Sequence, residues 1–372
     1  MRIKRLLSLV LVVVMIVATV LSGCSVKEES VGKPEGIIKE SNEINSISRV
    51  ITDLTGKEIE IPYAKDINKV IIVAPPLVAT YASVVKDTDK LVGVHPTSFK
   101  IANKDILNLV VPNWQNINTS FLSGFTSNTE EVLKMNPDII LVYGESQKKG
   151  LENVDIPVVD FYLDNPDNEE WSVRIDELMR EIFQIEGNDT LEKEWEEAKK
   201  ITAEALSKIK EADRKTAIMI RSYTQDSFSV RGANYYGDDW LVKTGLINAA
   251  GNMQGDDVQI SMEQLYQWNP DIVYDFVGQD AEKYLQNNIE SRDWSQIKAF
   301  MNKEIYDMPQ GMFNWGAPNV DSPLTLIWMT MKNYPGIISE EFFNSYMKEY
   351  YMRQYGIELS DNIMNEILDP TK

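Results

Sequence analysis

The chain has 372 residues, 43% of them hydrophobic, and carries a net charge of −20 with one histidine and one cysteine. That length suits two domains of ordinary size, and the acidic balance excludes nucleic-acid binding and electrostatic adhesion to anionic lipid, both of which need basic surface. A single cysteine excludes an internal disulfide, and one histidine is too few for a zinc site built from several His or Cys ligands.

At the N-terminus, Arg2, Lys4 and Arg5 precede the apolar run Leu6–Leu21 and the small residues of LSGC. A basic stretch, an apolar core and a small-residue site make a secretory leader; a spanning anchor helix would want a somewhat longer run. LSGC resembles the lipobox of bacterial lipoproteins. That implies cleavage after Gly23, so that residues 1–23 are a signal peptide, and lipidation of Cys24. Loss of the three basic residues leaves the mature chain three units more negative. Residues 24–46 are polar and without period, a lipidated cysteine followed by a flexible tether. Several acyl chains give a stable anchor, which puts the chain on the extracytoplasmic face of the cell membrane.

Residues 47–166 read as an N-terminal α/β lobe. ISRVITDLTGKEIEIP is a hairpin with its turn at Asp53-Leu54-Thr55-Gly56. VIIVAPP, LVGV, IILVYG and IPVVDFY are apolar strands, and LVATYASVV between the first two is helical in pattern. Strand and helix in alternation predict a mostly parallel sheet. Residues 167–213 carry no strand signal and many helix formers. From Thr190 to about Ala212 they predict one long helix between lobes, roughly 30 Å at the usual rise. Residues 214–372 begin a second α/β rhythm with TAIMIRSY, SFSVRG as a strand or turn, a helix in DDWLVKTGLINAAGN, then IVYDFVG and EIYDMP, and close on a helical tail from Ser322 to Leu368.

One phrase occurs twice. EEVLKMNPDII at residues 130–140 matches EQLYQWNPDIV at residues 263–273, aligning Glu130 with Glu263 and each Asn-Pro-Asp with the other. An offset of 133 residues is too long for a solenoid period and suits two lobes of related design. In each copy a short helix begins at the glutamate, stops before the proline and leads into a buried strand.

Signatures of catalysis are missing. The sequence has no P-loop and no G-x-G-x-x-G, no G-x-S-x-G serine, and no calcium loop of the D-x-[DN]-x-[DN]-G kind. A Ser-His-Asp or Cys-His enzyme would have to use His95. Two lobes, a connecting helix and a surface tether point to binding rather than to an enzyme.

DLTGKEIEIP, LVGV, EEVLKMNPDIILV, DDWLVKTGLINAAGN, SMEQLYQWNPDIV and PQGMFNWGAPNVDSPLTLIWMTMKNYP follow one another in this order behind the lipobox. Together they resemble the ABC-transporter substrate-binding lipoproteins of the iron–siderophore, haem and cobalamin type, the helical-backbone class of periplasmic binding proteins. The resemblance covers nearly the whole mature chain. It implies two lobes, each with a central, mostly parallel sheet flanked by helices, joined by one long helix, with ligand in the cleft between them and little lobe movement. It implies delivery of a metal chelate, a ferric siderophore, haem or a corrinoid, to a permease driven by ATPase subunits, by a monomer that needs no cofactor of its own. It also implies that Glu130 and Glu263, one on each lobe and seven residues before the proline of each Asn-Pro-Asp, meet arginines of the permease. Carboxylates near helix N-termini are favoured by the helix dipole and pair well with guanidinium; capping of their own helices is the simpler explanation.

Ligands of open α/β sheets sit beyond the carboxyl ends of the strands. Those ends supply Pro76, His95 and Tyr143 in the first lobe, and Arg221, Tyr223, Phe276 and Trp315 in the second, with Arg231 in a following loop. The aromatic rings offer flat apolar faces, the arginines suit carboxylates or phenolates of a chelate, and His95 either ligates a metal centre or hydrogen-bonds the ligand. A molybdate- or tungstate-like oxyanion would use the Arg221–Arg231 stretch equally well. Two readings from other classes remain: a surface chelatase-like enzyme with His95 as base, and a sensory lipoprotein that docks to a receptor without transport.

Overall fold

The computed structural model describes residues 48–187, 190–223, 228–276, 281–287 and 292–370. The expected leader, Cys24 and the tether lie outside them. The described part opens on the expected hairpin, β1 (Ser48–Thr52) antiparallel to β2 (Glu58–Pro62). Asp53 builds its turn: Oδ1 accepts from the Thr55 and Lys57 amides, each at 3.0 Å. Gly56 takes φ +84° there, which costs a residue without Cβ nothing.

The first sheet follows. In chain order its elements are β3 (Val70–Ile72), α1 (Leu77–Val84), β4 (Leu91–Val94), α2 (Pro96–Ile101), α3 (Lys104–Val110), the small hairpin β5 (Leu122–Ser123) and β6 (Thr126–Ser127), α4 (Thr129–Met135), β7 (Ile139–Val142) and β8 (Val158–Asp160). The strand order is β4-β3-β7-β8, parallel throughout. Nearly every strand residue is buried, as continuous apolar runs require of a sheet covered on both faces.

The link to the second sheet is a pair of helices, α5 (Asn168–Phe183) and α6 (Leu191–Leu206), each of 16 residues. They lie antiparallel: Trp195 Nε1 donates to Ser172 Oγ at 2.8 Å and Lys199 pairs with Glu169. The long helix expected from Thr190 to about Ala212 is therefore shorter, about 24 Å. It stops at Ser207, just past Leu206, whose side chain packs on Gly245 so closely that a Cβ there would come within 2.7 Å.

The second half comprises β9 (Thr216–Tyr223), β10 (Phe228–Val230), α7 (Tyr236–Lys243), β11 (Ile247–Asn248), β12 (Val258–Gln259), α8 (Met262–Trp268), β13 (Ile272–Asp275), α9 (Ala281–Leu285), α10 (Lys298–Met301) and β14 (Ile305–Asp307). The strand order is β12-β10-β9-β13-β14, with β11 also on β9. β10 is antiparallel to both of its neighbours, while β11, β13 and β14 run parallel to the rest. Three helices close the chain, α11 (Ser322–Asn333), α12 (Glu340–Tyr355) and α13 (Asp361–Leu368).

The repeated phrase folds the same way twice. α4 and α8 each have seven residues and end on an asparagine in the left-handed region, Asn136 at φ 49° and Asn269 at φ 44°. Proline then bars further helix. The aspartate turns back to the neighbouring strand. Asp138 Oδ2 accepts from the Asn68 and Lys69 amides at 2.7 and 2.9 Å, and Asp271 Oδ2 accepts from the Thr216 amide at 2.8 Å. Each aspartate thus sets β7 beside β3, or β13 beside β9, in parallel register.

Candidate functional site

The carboxyl ends of the second sheet bring three of the expected residues together. Arg221 lies near the end of β9, Arg231 follows β10 and Phe276 follows β13. The two arginines meet on Asp256, two residues before β12. Arg221 Nε donates to Asp256 Oδ2 at 3.0 Å, and Arg231 Nη1 forms an ion pair with Asp256 Oδ1. Arg231 Nη2 donates to the Tyr236 hydroxyl at 2.6 Å.

Arg231 is only 1% exposed. Its guanidinium carbon lies 4.4 Å from the ring centres of both Tyr236 and Phe276, and 5.8 Å from that of Tyr235. Burial pushes its pKa down, and nearby Arg221 adds to that, while Tyr236 opposes it; a guanidinium keeps its charge regardless. Close approach needs glycine at two places. A Cβ on Gly237 would come within 2.5 Å of Arg231 Cγ, and one on Gly316 within 2.7 Å of the Phe276 ring. Two guanidinium groups around one carboxylate leave the cluster with one positive charge in an acidic chain.

On the first-sheet side, Asp160 at the end of β8 organises the backbone. Its Oδ1 accepts from the Gly144 and Tyr162 amides at 2.7 and 2.9 Å, and its Oδ2 pairs with Lys148 at 2.9 Å. This fixes Tyr143 and Tyr162 on either side of Trp171, with ring centres 5.9 and 5.8 Å away. Trp171 is 6.3 Å from Tyr236, and Tyr236 is 5.7 Å from Phe276. A file of aromatic rings thus crosses from the ends of β7 and β8 to the ends of β10 and β13. The start of α5 holds it in place: Asn168 Nδ2 donates to the Tyr236 carbonyl at 2.8 Å, and Lys243 bridges Asp167 and Asp239 at 2.8 and 3.0 Å. The Tyr143 hydroxyl is buried without a partner, and burial pushes its pKa far up.

Other expected residues lie elsewhere. His95 caps α2: its Nδ1 accepts from the Thr97 amide at 3.1 Å, so Nε2 carries the proton towards the Gly124 carbonyl at 3.2 Å. Burial lowers its pKa, Phe125 stacks on it at 4.6 Å, and neither nitrogen is left for a metal. Direct ligation of a metal centre by His95 is thereby corrected. Trp315 is corrected too. It has no exposed surface: β14 has already ended at Asp307, and the following loop turns the Trp315 ring into the core beside the buried Asp321. Tyr223 belongs to an aromatic box with Phe228, Tyr284 and Trp294, under Arg292 at 4.4 Å. Pro76 stands half-buried at the start of α1.

Sequence reasoning missed Tyr162, Trp171, Tyr235, Tyr236 and Asp256. Tyr162 could have been found by the same strand-end rule that gave Tyr143, since IPVVDFY ends on it. A groove of about 870 Å³ between β14, α11 and α13 is lined by Glu282, Glu340 and Glu366 as well as Trp328, a set unsuited to an anion. Among the described residues, no group of three or more His, Cys, Asp or Glu is placed to hold a metal, and no helix is long and apolar enough to cross a membrane.

Residues 71–311 match the family model described as periplasmic binding protein. The chain belongs to the periplasmic binding protein family. It is of the helical-backbone class that its motifs resemble, and it is an extracytoplasmic solute-binding protein of ABC import. It is 24% identical over 332 residues to the molybdate-binding protein MolA of Haemophilus influenzae, covering 82% of this chain and 91% of that one. A periplasmic solute-binding protein from Veillonella parvula superimposes with a TM-score of 0.70 at 26% identity, over 86% of this chain and 97% of that one. Helicobacter pylori CeuE, solved as a nickel–histidine complex, gives 0.68 at 19%, over 86% and 99%.

Proposed function

We propose that this binding protein captures an anionic solute, first of all a small oxyanion of the molybdate type, and hands it to an ABC importer permease. The observation that carries this is the Arg221–Asp256–Arg231 cluster. A chain of net charge −20 repels anions at long range, so two arginines gathered at the carboxyl ends of its second sheet have a specific use. Guanidinium forks match oxyanion geometry. The likeness to a molybdate-binding protein supports the same class. A ferric siderophore or other anionic metal chelate is the second reading, favoured by the file of rings from Tyr143 to Phe276, which offers flat apolar contact.

The same reading tethers the chain through a lipid on Cys24 and presents Glu130 and Glu263 to the permease. Both glutamates are exposed in the first turns of α4 and α8.

Calorimetric titration of the purified protein tests the solute class. Molybdate, tungstate, sulfate, a ferric catecholate siderophore and haem are the ligands. We expect saturable binding of at least one tetrahedral dianion, weakened by about tenfold or more in R221A, since a charge-assisted bond contributes about 1.5–3 kcal/mol. Saturable binding of the ferric chelate with no response to any oxyanion would move the assignment to the second reading.

A further inference from the structure

Arg231 and Arg221 differ in how far they are committed. Arg231 is buried, clamped between Tyr236 and Phe276, and engages Asp256 through Nη1 and Tyr236 through Nη2. Its position is fixed by packing on every side, including the glycine at 237. Arg221 is different: its side chain is 39% exposed, and its recorded bond to Asp256 uses Nε, one of five guanidinium donors. Asp256 is itself 23% exposed, so the shared carboxylate faces water on one side and both arginines on the other. It belongs to the segment between β11 and β12, whose first residues, such as Ala250, are buried in the core while its neighbours Gly255 and Asp257 are exposed.

An anion that approaches this cluster meets a carboxylate already seated on its arginines. We propose that Asp256 is a built-in counter-anion: the incoming solute competes with it for Arg221 while Arg231 stays in place, and the one charge it contributes sets both how tightly the site holds an anion and how many negative charges it accepts. This rests on the anionic-solute reading above. Without Asp256, two neighbouring guanidinium groups would repel one another in the empty protein and would hold a dianion too firmly to release it to a permease. With it, the cluster carries one net positive charge, enough to attract an anion, and the departing solute is replaced by the protein's own carboxylate.

Charge arithmetic gives the test. The wild-type cluster carries one positive charge, R221Q none, D256N two, and R221Q/D256N one again. Molybdate affinity of each purified full-length protein is measured by calorimetry at fixed ionic strength, with thermal melts to confirm folding. D256N is expected to bind about tenfold more tightly than wild type and R221Q about tenfold more weakly, for one unit charge at contact distance. The double variant should return to within about threefold of wild type. D256S, which also removes the charge but leaves a smaller side chain, should tighten binding as D256N does, and serves if D256N does not fold. Wild-type binding that D256N and D256S leave unchanged or weaken overturns the counter-anion role alone; Asp256 would then only position the arginines. Absence of molybdate binding in wild type and in both neutral variants overturns the anion reading and the counter-anion role together.

Discussion

Asp321 shows how one buried residue can make stability depend on pH. Its carboxyl has no exposed surface, and the groups that meet it are neutral: Tyr355 at 3.1 Å, Tyr351 at 3.5 Å and the Trp315 indole. Burial pushes its pKa up to about 7, against the hydrogen bonds that favour the anion. The folded state therefore holds a proton that the unfolded chain, with an aspartate near 3.9, has already lost. The contribution to stability is complete below pH 4 and is lost as pH rises towards 7. Between pH 5 and pH 8 the wild type should lose about 3 kcal/mol through this group alone. Denaturant melts of wild type and D321N at those two pH values check it: the variant should gain on the wild type at pH 8. An equal difference at both would show that Asp321 is not the titrating group. The same contacts explain why Trp315 was misread. GMFNW looks like a strand end in sequence, but the strand has stopped at Asp307, and the loop beyond it folds inward on Asp321.

At the scale of elements, the Asn-Pro-Asp phrase assigns a separate task to each residue. Asparagine accepts the left-handed turn, proline ends the helix, and aspartate holds the start of the next strand pair. Charge-assisted bonds to backbone amides contribute about 1.5–3 kcal/mol each. D138A and D271A should each lower stability by about 2 kcal/mol in urea melts, and asparagine at either position should recover part of that, because its carbonyl still accepts from the strand amides. No loss in either alanine variant would mean that register is set by the strands alone. This level was the most legible in sequence. TAIMIRSY proved to be β9 to the residue, LVGV to be β4, and the helical tail runs from Ser322 to Leu368 as expected. Apolar runs and punctuating residues act locally, so they can be read locally. α2 and α3 were not seen, because six- and seven-residue helices are too short to show a period. The pairing of Arg231 with Asp256 was also out of reach: the two lie 25 residues apart in sequence, so only the fold brings them to one place.

The whole molecule is tied across its two sheets by its C-terminal segments, whose helices the sequence announces but whose partners it does not. The Asn103 amide donates to the Gly311 carbonyl at 2.9 Å, Ser83 donates to Gln354 at 3.0 Å, and Arg353 forks onto Glu194 of α6 at 2.8 and 2.9 Å. Segments from both halves share these bonds, which limits how far the halves can separate without breaking them. Under the proposed delivery to a permease, a receptor whose halves are tied in this way would be recognised through fixed features on both of them. Glu130 and Glu263 fit that requirement. A helix that leads into a parallel strand runs back antiparallel to it, so its N-terminus stands at the strands' carboxyl ends, the side where ligands bind. Each glutamate lies in such a first turn, exposed, at the same step of the repeated phrase. Neither touches the arginine cluster, so solute affinity and delivery are separable. In E130A/E263A, calorimetric affinity for the solute should stay within about twofold of wild type, while uptake of that solute by cells falls to background, because under the proposed docking each lost carboxylate would remove a charge-assisted contact to the permease. Either single variant should retain part of the uptake. Transport by the double variant at the wild-type rate would show that the two glutamates take no part in docking; the caps of their helices are Asn128 and Ser261.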